Sequence, residues 1–141
     1  MEQLIEFLSN HPVLTGAWVL VAALLLVAQF KHMTSGIKAL TPLQATQLIN
    51  RENGVVIDVR PIADFNKGHI AGAINIPQSK ISTSTVELEK YKSTPIILVC
   101  ANGIQAGSAC QELKKAGFEI VHKLMGGFQS WIGENLPVVK K

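Results

Sequence analysis

The stretch that decides the fold is Gly68-His69-Ile70-Ala71-Gly72-Ala73-Ile74-Asn75-Ile76-Pro77. Its last five residues predict a short strand that ends at Pro77, because proline cannot donate a ladder hydrogen bond. A second apolar run, Val55-Val56-Ile57-Asp58-Val59, lies upstream and predicts a buried strand. Short apolar runs that alternate with helical patterns are typical of an α/β domain with a mostly parallel sheet.

The same alternation continues along the chain in both directions. Thr41-Pro42 predicts the N-cap and first turn of a helix that extends to about Asn50. Further elements are predicted downstream: a polar helix over 84–91, a central strand over 96–99, a helix over 105–116 closed by Gly117, a strand over 119–124 and a short helix over 128–132. We therefore expect a central, mostly parallel sheet flanked by helices.

The N-terminal segment has a different composition. No Asp, Glu, Lys or Arg occurs from Phe7 to Phe30, and residues 13–30 are nearly all apolar. About 20 residues at about 1.5 Å of rise each cross the roughly 30 Å hydrocarbon core of a bilayer. A cleaved signal peptide would need a basic n-region, whereas here Glu2 and Glu6 precede the apolar run. A buried helix without a polar face is not expected in so small a protein.

We therefore predict an N-terminal segment over 1–33 with one uncleaved transmembrane helix at about 12–30, followed by a polar linker over 34–39. Lys31, His32 and Lys38 follow the span, and no Lys or Arg precedes it. The positive-inside rule then places the N-terminus outside the inner (plasma) membrane and the remaining chain in the cytoplasm.

Charge is concentrated after the span. All thirteen Lys and Arg and eight of the ten acids follow position 30, so the soluble part carries a formal +5. A modest positive excess suits a domain beside an anionic leaflet. No basic run with interleaved aromatic residues occurs, so we expect no nucleic-acid partner.

The two cysteines are predicted to be free thiols. A cytoplasmic domain rarely keeps a structural disulfide, and the absence of CxxC spacing and the four scattered histidines predict no metal site. Cys110 shares one helical face with Ala106, Ala109 and Leu113, which favours a core position. A role as a resolving thiol for Cys100 is the less favoured alternative.

Cys100 occupies a position where open α/β sheets bind ligands, since it ends an apolar run and precedes a helix. Backbone N–H groups of the intervening loop and the positive end of the helix dipole both favour a thiolate with an anion beside it. The alternative is a small apolar residue that merely ends a strand. We identify Cys100 as the candidate nucleophile and assign a candidate anion-binding loop to Ala101, Asn102, Gly103, Ile104 and Gln105.

Two groups of motifs resemble those of rhodanese-like sulfurtransferase domains. Ile57-Asp58-Val59-Arg60, Asp64-Phe65 and the stretch 68–77 closely resemble the first family signature. Leu124-Met125-Gly126-Gly127-Phe128-Gln129-Ser130-Trp131, with Asn135-Leu136-Pro137-Val138, resembles the C-terminal signature. The resemblance covers about 40–139, and the predicted anchor lies outside it, so the chain resembles a single-domain rhodanese tethered to a membrane.

The resemblance implies that Cys100 attacks a sulfane donor, carries the outer sulfur as a persulfide and passes it to a nucleophile, without a cofactor. Gly103 matches the glycine of the family pattern C-x-x-G-x-R, but Gln105 stands where that pattern has arginine. A neutral amide brings no charge, so we expect weak activity on the dianion thiosulfate. Ala106 occupies the arginine position of the related C-x5-R phosphatases and disfavours that chemistry.

Asp58, Arg60 and Asp64 resemble the family's charged cluster beside the loop. We expect Arg60 to pair with Asp58 or Asp64 and to support the loop from behind. His69 is expected to hydrogen-bond the neighbouring turn, and Trp131 to lie in the core.

Two functions from different classes follow. The first is a membrane-tethered cytoplasmic sulfurtransferase that uses a small sulfur-containing donor and a thiol acceptor. The alternative is a rhodanese-like docking module of low or no activity that binds an integral membrane protein. A third hypothesis, thiol-redox sensing through Cys100 and Cys110, requires the two sulfurs to meet and is disfavoured by the helical face of Cys110.

Overall fold

The computed structural model describes residues 1–34 and 36–141, and of residues 31–34 it describes the backbone only. Two predictions fall partly outside the described residues: Ser35 within the linker, and the Lys31 and His32 side chains of the predicted cytoplasmic flank. The chain divides into two compact units, Met1–Ser35 and Gly36–Lys141.

The N-terminal unit consists of helices α1 (Glu2–Asn10) and α2 (Pro12–Thr34). Thr15 fixes the joint between them, since its Oγ1 donates to the carbonyl oxygens of His11 at 3.0 Å and Leu8 at 3.3 Å. Within α2, Pro12–Phe30 forms 19 residues that are apolar enough to cross a membrane, and none of the apolar window is buried. A signal sequence near the N-terminus can meet the same criteria of length and composition. Helix α1 was not predicted.

The second unit contains a five-stranded sheet of order β1-β6-β5-β2-β4, in which all pairs are parallel, and an antiparallel pair β3-β7. Its elements, in chain order, are β1 (Lys38–Leu40), α3 (Pro42–Glu52), β2 (Val55–Asp58), α4 (Ile62–Lys67), β3 (His69–Ile70), β4 (Ile74–Asn75), β5 (Ile96–Val99), α5 (Ala106–Lys115), β6 (Val121–Leu124), α6 (Gly127–Gly133) and β7 (Val138–Val139). The α/β fold with a central parallel sheet is therefore confirmed.

Helix α3 begins where the sequence predicts. The Thr41 side chain accepts a hydrogen bond from the Gln44 N–H, and the Gln44 side chain accepts one from the Thr41 N–H. This capping box satisfies two backbone donors that a helix start would otherwise leave open. Asn53, in the left-handed conformation, ends the helix two residues before β2.

Strand β5 is the middle strand and is buried on both faces, as its continuous apolar sequence requires. Leu98 and Cys100 belong to the core layer that contains the apolar face of α5. Ile97 and Val99 belong to the opposite layer, with residues of α3 and α6. The alternation of a β-strand therefore places the Cys100 side chain on the α5 side of the sheet, just beyond its carboxyl edge.

The predicted polar helix over 84–91 is wrong. The segment forms turns and ends in a 3-10 turn at Glu89–Tyr91, after an earlier 3-10 turn at Gln78–Lys80. The hydroxyls of Thr83 and Thr85 donate to the carbonyls of Lys80 and Ser82, so short side chains compete with helical hydrogen bonds. Only Leu88 in this segment is buried, which leaves an α-helix without a core-facing stripe.

Several short elements were not predicted. Strand β1 uses the last two residues of the expected linker, Lys38 and Ala39, which pair with His122 and Lys123 of β6. Helix α4 contains only six residues, and strands β3 and β7 contain two residues each. Elements this short show no hydrophobic period, so their pairing depends on tertiary context.

Candidate functional site

Cys100 lies directly after β5 and is completely buried. Its Sγ accepts a hydrogen bond from the Gly103 N–H at 2.9 Å. The Ile104 N–H instead donates to the Asn102 side chain at 3.1 Å, so this amide is satisfied within the loop. A single loop N–H therefore contacts the sulfur in this conformation, where the sequence had suggested several.

The start of helix α6 holds the other side of the loop. The Phe128 N–H donates to the Cys100 carbonyl at 2.7 Å, and the Gln129 N–H donates to the Ala101 carbonyl at 3.2 Å. Both are N-terminal helix amides, which have no partner inside their own helix. The Cys100 and Ala101 carbonyls are thereby fixed, whereas no backbone hydrogen bond joins residues 102–105 to α6.

Gly127 allows α6 to come this close. Its φ is +64°, and a Cβ placed there would overlap the Cys100 carbonyl oxygen and lie 2.6 Å from the Gly103 nitrogen. Only glycine fits both the conformation and the contact. The glycine pair 126–127 belongs to a stretch that resembles a family motif, but its contact with the loop was not predicted.

Arg60 pairs with Asp58, one of the two carboxylates that the sequence offered. The guanidinium donates from Nε to both carboxylate oxygens at 2.9 and 3.0 Å, and from Nη2 to Oδ2 at 2.7 Å. Nη2 also donates to the Gly68 carbonyl at 2.8 Å. Both side chains are buried, so the pair needs this complete set of partners to offset the loss of water.

The Arg60 guanidinium lies over the Phe128 ring, 3.9 Å from its centroid. Phe128 is also the residue whose N–H holds the Cys100 carbonyl. The buried pair therefore supports the loop indirectly, through α6. Asp64 is not part of this arrangement, since it lies 3.7 Å from Lys67 in an exposed pair.

A cavity of about 460 Å³ adjoins this support. Arg60, Ala101, Phe128 and Gln129 are among its lining residues, whereas Cys100 is not. The cavity thus reaches the start of the loop at Ala101, and Cys100 does not line it.

His69 and Trp131 make structural contacts. His69 Nδ1 lies 2.8 Å from the Phe65 carbonyl oxygen, and its ring stacks on Phe65 at 3.7 Å. The Trp131 Nε1 donates to the Pro137 carbonyl at 3.0 Å, and the indole is buried. These residues stabilise the end of α4 and the final turn of the chain.

Cys110 is buried on the core face of α5, as its helical position predicts. Its Sγ donates to the His122 carbonyl at 3.4 Å. Burial raises the pKa of the Cys110 thiol to about 12. The thiol therefore stays protonated at neutral pH and is a poor nucleophile.

A family model of the rhodanese-like domain matches residues 41–134. The chain belongs to the rhodanese-like domain family. It is similar over its whole length to the uncharacterized protein YibN of Escherichia coli strain K12, with 45% identity over 141 residues and 99% of both chains covered. Membership of this family supports assignment to the general class of sulfurtransferases, because named sulfurtransferases occur among the relatives of the chain.

One such relative is the thiosulfate sulfurtransferase GlpE of Coxiella burnetii strain RSA 331. It is 32% identical over 94 residues, which cover 67% of this chain and 86% of GlpE. Among solved structures, a rhodanese-related protein from Thermoplasma volcanium superposes with a TM-score of 0.66 at 32% identity. That alignment covers 74% of this chain and 99% of the other.

We predict that Arg60→Leu destabilises the domain by about 3–5 kcal/mol, because the buried Asp58 carboxylate would lose its charge partner. Urea unfolding of residues 36–141 measures the change. Lys67→Leu is the matched control, since it breaks an exposed pair whose contribution is at most about 1 kcal/mol. Equal losses for the two variants would contradict the supporting role of Arg60.

Proposed function

We propose that the protein is a membrane-tethered cytoplasmic sulfurtransferase that carries sulfane sulfur as a persulfide on Cys100. The proposal rests on one observation: the Gly103 N–H donates a hydrogen bond to Cys100 Sγ at the carboxyl end of the central strand. A backbone donor at this point stabilises negative charge on sulfur without a proton-transfer partner. Thiosulfate sulfurtransferase activity is named for the relative GlpE.

The transfer consists of two displacements at sulfur. The Cys100 thiolate attacks the outer sulfur of the donor, a new S–S bond forms, and the old bond breaks so that sulfite or a thiolate leaves with the electron pair. An acceptor thiolate then attacks the outer sulfur of the persulfide, and the Cys100 thiolate leaves. Negative charge returns to the Cys100 sulfur at the end, where the Gly103 N–H stabilises it again.

Complete burial of Cys100 requires the loop to open before a donor can reach the sulfur. The loop carbonyls of Cys100 and Ala101 are held by α6, whereas Asn102, Ile104 and Gln105 are exposed. Opening therefore involves residues 102–105, which lie outside the hydrogen bonds to α6. The loop keeps water from the sulfur when closed and admits donor and acceptor when open.

Gln105 limits the reaction with thiosulfate. It immediately precedes α5 and its exposed side chain is neutral. A neutral amide can donate a hydrogen bond but brings no positive charge, so this loop binds the dianion thiosulfate less tightly than a loop with arginine. Monoanionic donors such as small persulfides lose less binding affinity than thiosulfate does when glutamine stands in place of arginine.

Helix α2 supplies the tether in this proposal. Its apolar stretch is long enough to span a bilayer, and the similarity to YibN includes this segment. Two acids and no Lys or Arg precede the span, whereas Lys31 and Lys38 follow it, which favours an N-terminus outside and the domain in the cytoplasm.

A docking module for an integral membrane protein is the second candidate. Ile104 is 77% exposed at the loop tip, and Met125, which precedes the glycine pair beside the loop, is 51% exposed. Apolar side chains beside the loop suit a protein surface better than an inorganic anion. The tether would raise the local concentration of the domain near such a partner.

Incubation with a sulfane donor should add one sulfur atom, about 32 Da, to Cys100. We expect no adduct with Cys100→Ser and about tenfold faster formation from thiosulfate with Gln105→Arg, because arginine restores a charge-assisted contact. Intact-mass spectrometry with peptide mapping gives the rates. The absence of an adduct with thiosulfate and with every organic persulfide tested would refute the transfer function.

The tether predicts that the full 15.3 kDa chain stays in the membrane pellet after alkaline extraction. Protease added outside intact spheroplasts should spare residues 36–141, and should digest them after lysis. A shorter, soluble chain would instead identify residues 1–30 as a cleaved signal sequence.

For the docking function, we expect Ile104→Asp to abolish crosslinks to an integral membrane protein, because a charge would be buried in an apolar interface. Cys100→Ser should leave these crosslinks unchanged if docking is independent of catalysis. Crosslinking in native membranes followed by mass spectrometry measures both. Crosslinks that persist in Ile104→Asp would exclude the loop tip as the docking surface.

A further inference from the structure

Lys123 lies on the same face of the sheet as Cys100. Its Cα pairs with that of Leu98, two residues before Cys100, in the register of β5 and β6. Residues paired across neighbouring strands point to the same face. Leu98 and Cys100 belong to the core layer that contains α5, so the Lys123 side chain extends toward this layer from the neighbouring strand.

The ammonium of Lys123 lies beside the start of α5. Its Nζ is 3.9 Å from the position that a Cβ on Gly107 would occupy. Gly107 is the second residue of α5, which begins directly after the Cys100 loop. A glycine at this position leaves the space beside the first turn open to the lysine side chain.

No carboxylate neutralises this ammonium in the part of the chain that the structure describes. Lys123 Nζ forms neither an ion pair nor a hydrogen bond there, in contrast to Lys67 and Lys92, which lie near Asp64 and Glu89. The N-terminal end of a helix carries a partial positive charge of its own. Two positive groups that lie side by side repel each other, and an anion placed between them removes the repulsion.

The pKa of the Cys110 thiol depends on the charge of Lys123 and on a charge at Cys100. Burial is the largest influence on the Cys110 thiol and raises its pKa, while the Lys123 charge lowers that pKa and a charge on Cys100 raises it. Coulomb interactions decline with distance, so Lys123 and Cys100 each lie close enough to Cys110 to influence its thiol. This agrees with the placement obtained from strand register and from Gly107.

We propose that Lys123 is the anion-attracting residue of the Cys100 site, and that its ammonium on β6 provides the positive charge that Gln105 does not. The inference rests on the proposed function, in which an anionic sulfur donor approaches Cys100. An ammonium is a compact point charge that attracts any anion without the bidentate geometry of arginine. Lys123 would therefore favour small monoanionic donors as well as thiosulfate.

Charge-selective alkylation tests this role without requiring sulfur transfer. Cys100 in the purified full-length chain is treated with iodoacetate, an anion, or with neutral iodoacetamide, and each rate is measured by peptide mapping. Both reagents need the same loop opening and the same thiolate, so the ratio of the two rates reports the local electrostatic potential alone. Protonation of the buried Cys110 keeps its reaction slow, and mapping separates the two sites.

We expect Lys123→Met to lower the ratio of iodoacetate to iodoacetamide rates by about three- to tenfold, with a smaller difference at high salt. Lys123→Arg should retain most of the ratio, because it keeps the charge. Lys115→Met is the matched control: it removes the same charge from the far end of α5, about 12 Å away, and should leave the ratio unchanged. Lys123→Gln provides a second neutral variant should Lys123→Met fold poorly.

Equal ratios for Lys123→Met and Lys115→Met would overturn the inference. A wild-type Cys100 that reacts with neither reagent would also overturn it, since no anion could then reach the sulfur. A lowered ratio in a protein that forms no persulfide with any donor would refute the proposed transfer but retain Lys123 as the anion-attracting residue. The two failures are therefore distinguishable.

Discussion

The hydrogen bond from the Phe128 N–H to the Cys100 carbonyl, 2.7 Å long, is the contact on which the site depends. It fixes the chain at the point where the central strand ends and the loop begins, so the sulfur has a defined place relative to the Gly103 N–H. The bond requires α6 to approach the loop backbone, which Gly127 permits. It also requires Phe128 to stay in place, and the Arg60 guanidinium packs on that ring. The Cys100 carbonyl is thus held in place by the start of α6, by Gly127 and by the buried Asp58–Arg60 pair.

Much of the fold could be predicted because its determinants are local. The Thr41-Pro42 start of α3, the apolar runs of β2 and β5 and the amphipathic face of α5 each combine a periodic pattern with a recognisable boundary. The segment 84–91 shows the limit of this reasoning. Its polar composition resembles an exposed helix, yet threonine hydroxyls donate to neighbouring carbonyls and favour turns.

The identity of the candidate-site residues was predicted better than the contacts that they make. Position at the end of the central strand identified Cys100, and family motifs identified Arg60 and Gly127. Two features depend on contacts between segments far apart in sequence. One is the pairing of Arg60 with Asp58 and not with Asp64, and the other is the close approach of Gly127 to the loop. Lys123 had no motif to identify it, since its placement follows from the register of β6 against β5. The sequence pattern of the Cys100 loop therefore gives no sign of a charged residue on the neighbouring strand.

Complete burial of the Cys100 sulfur also has a kinetic consequence. Every reagent, whatever its charge or strength as a nucleophile, waits for the same opening of residues 102–105. At low reagent concentration the observed rate depends on the encounter with the open loop, so chemical differences among donors and acceptors are expressed. At high concentration all reagents approach one common ceiling, the opening rate itself. At that ceiling, a sulfur atom held beneath the closed loop would have a lifetime determined by the opening rate, and further thiol would not shorten it.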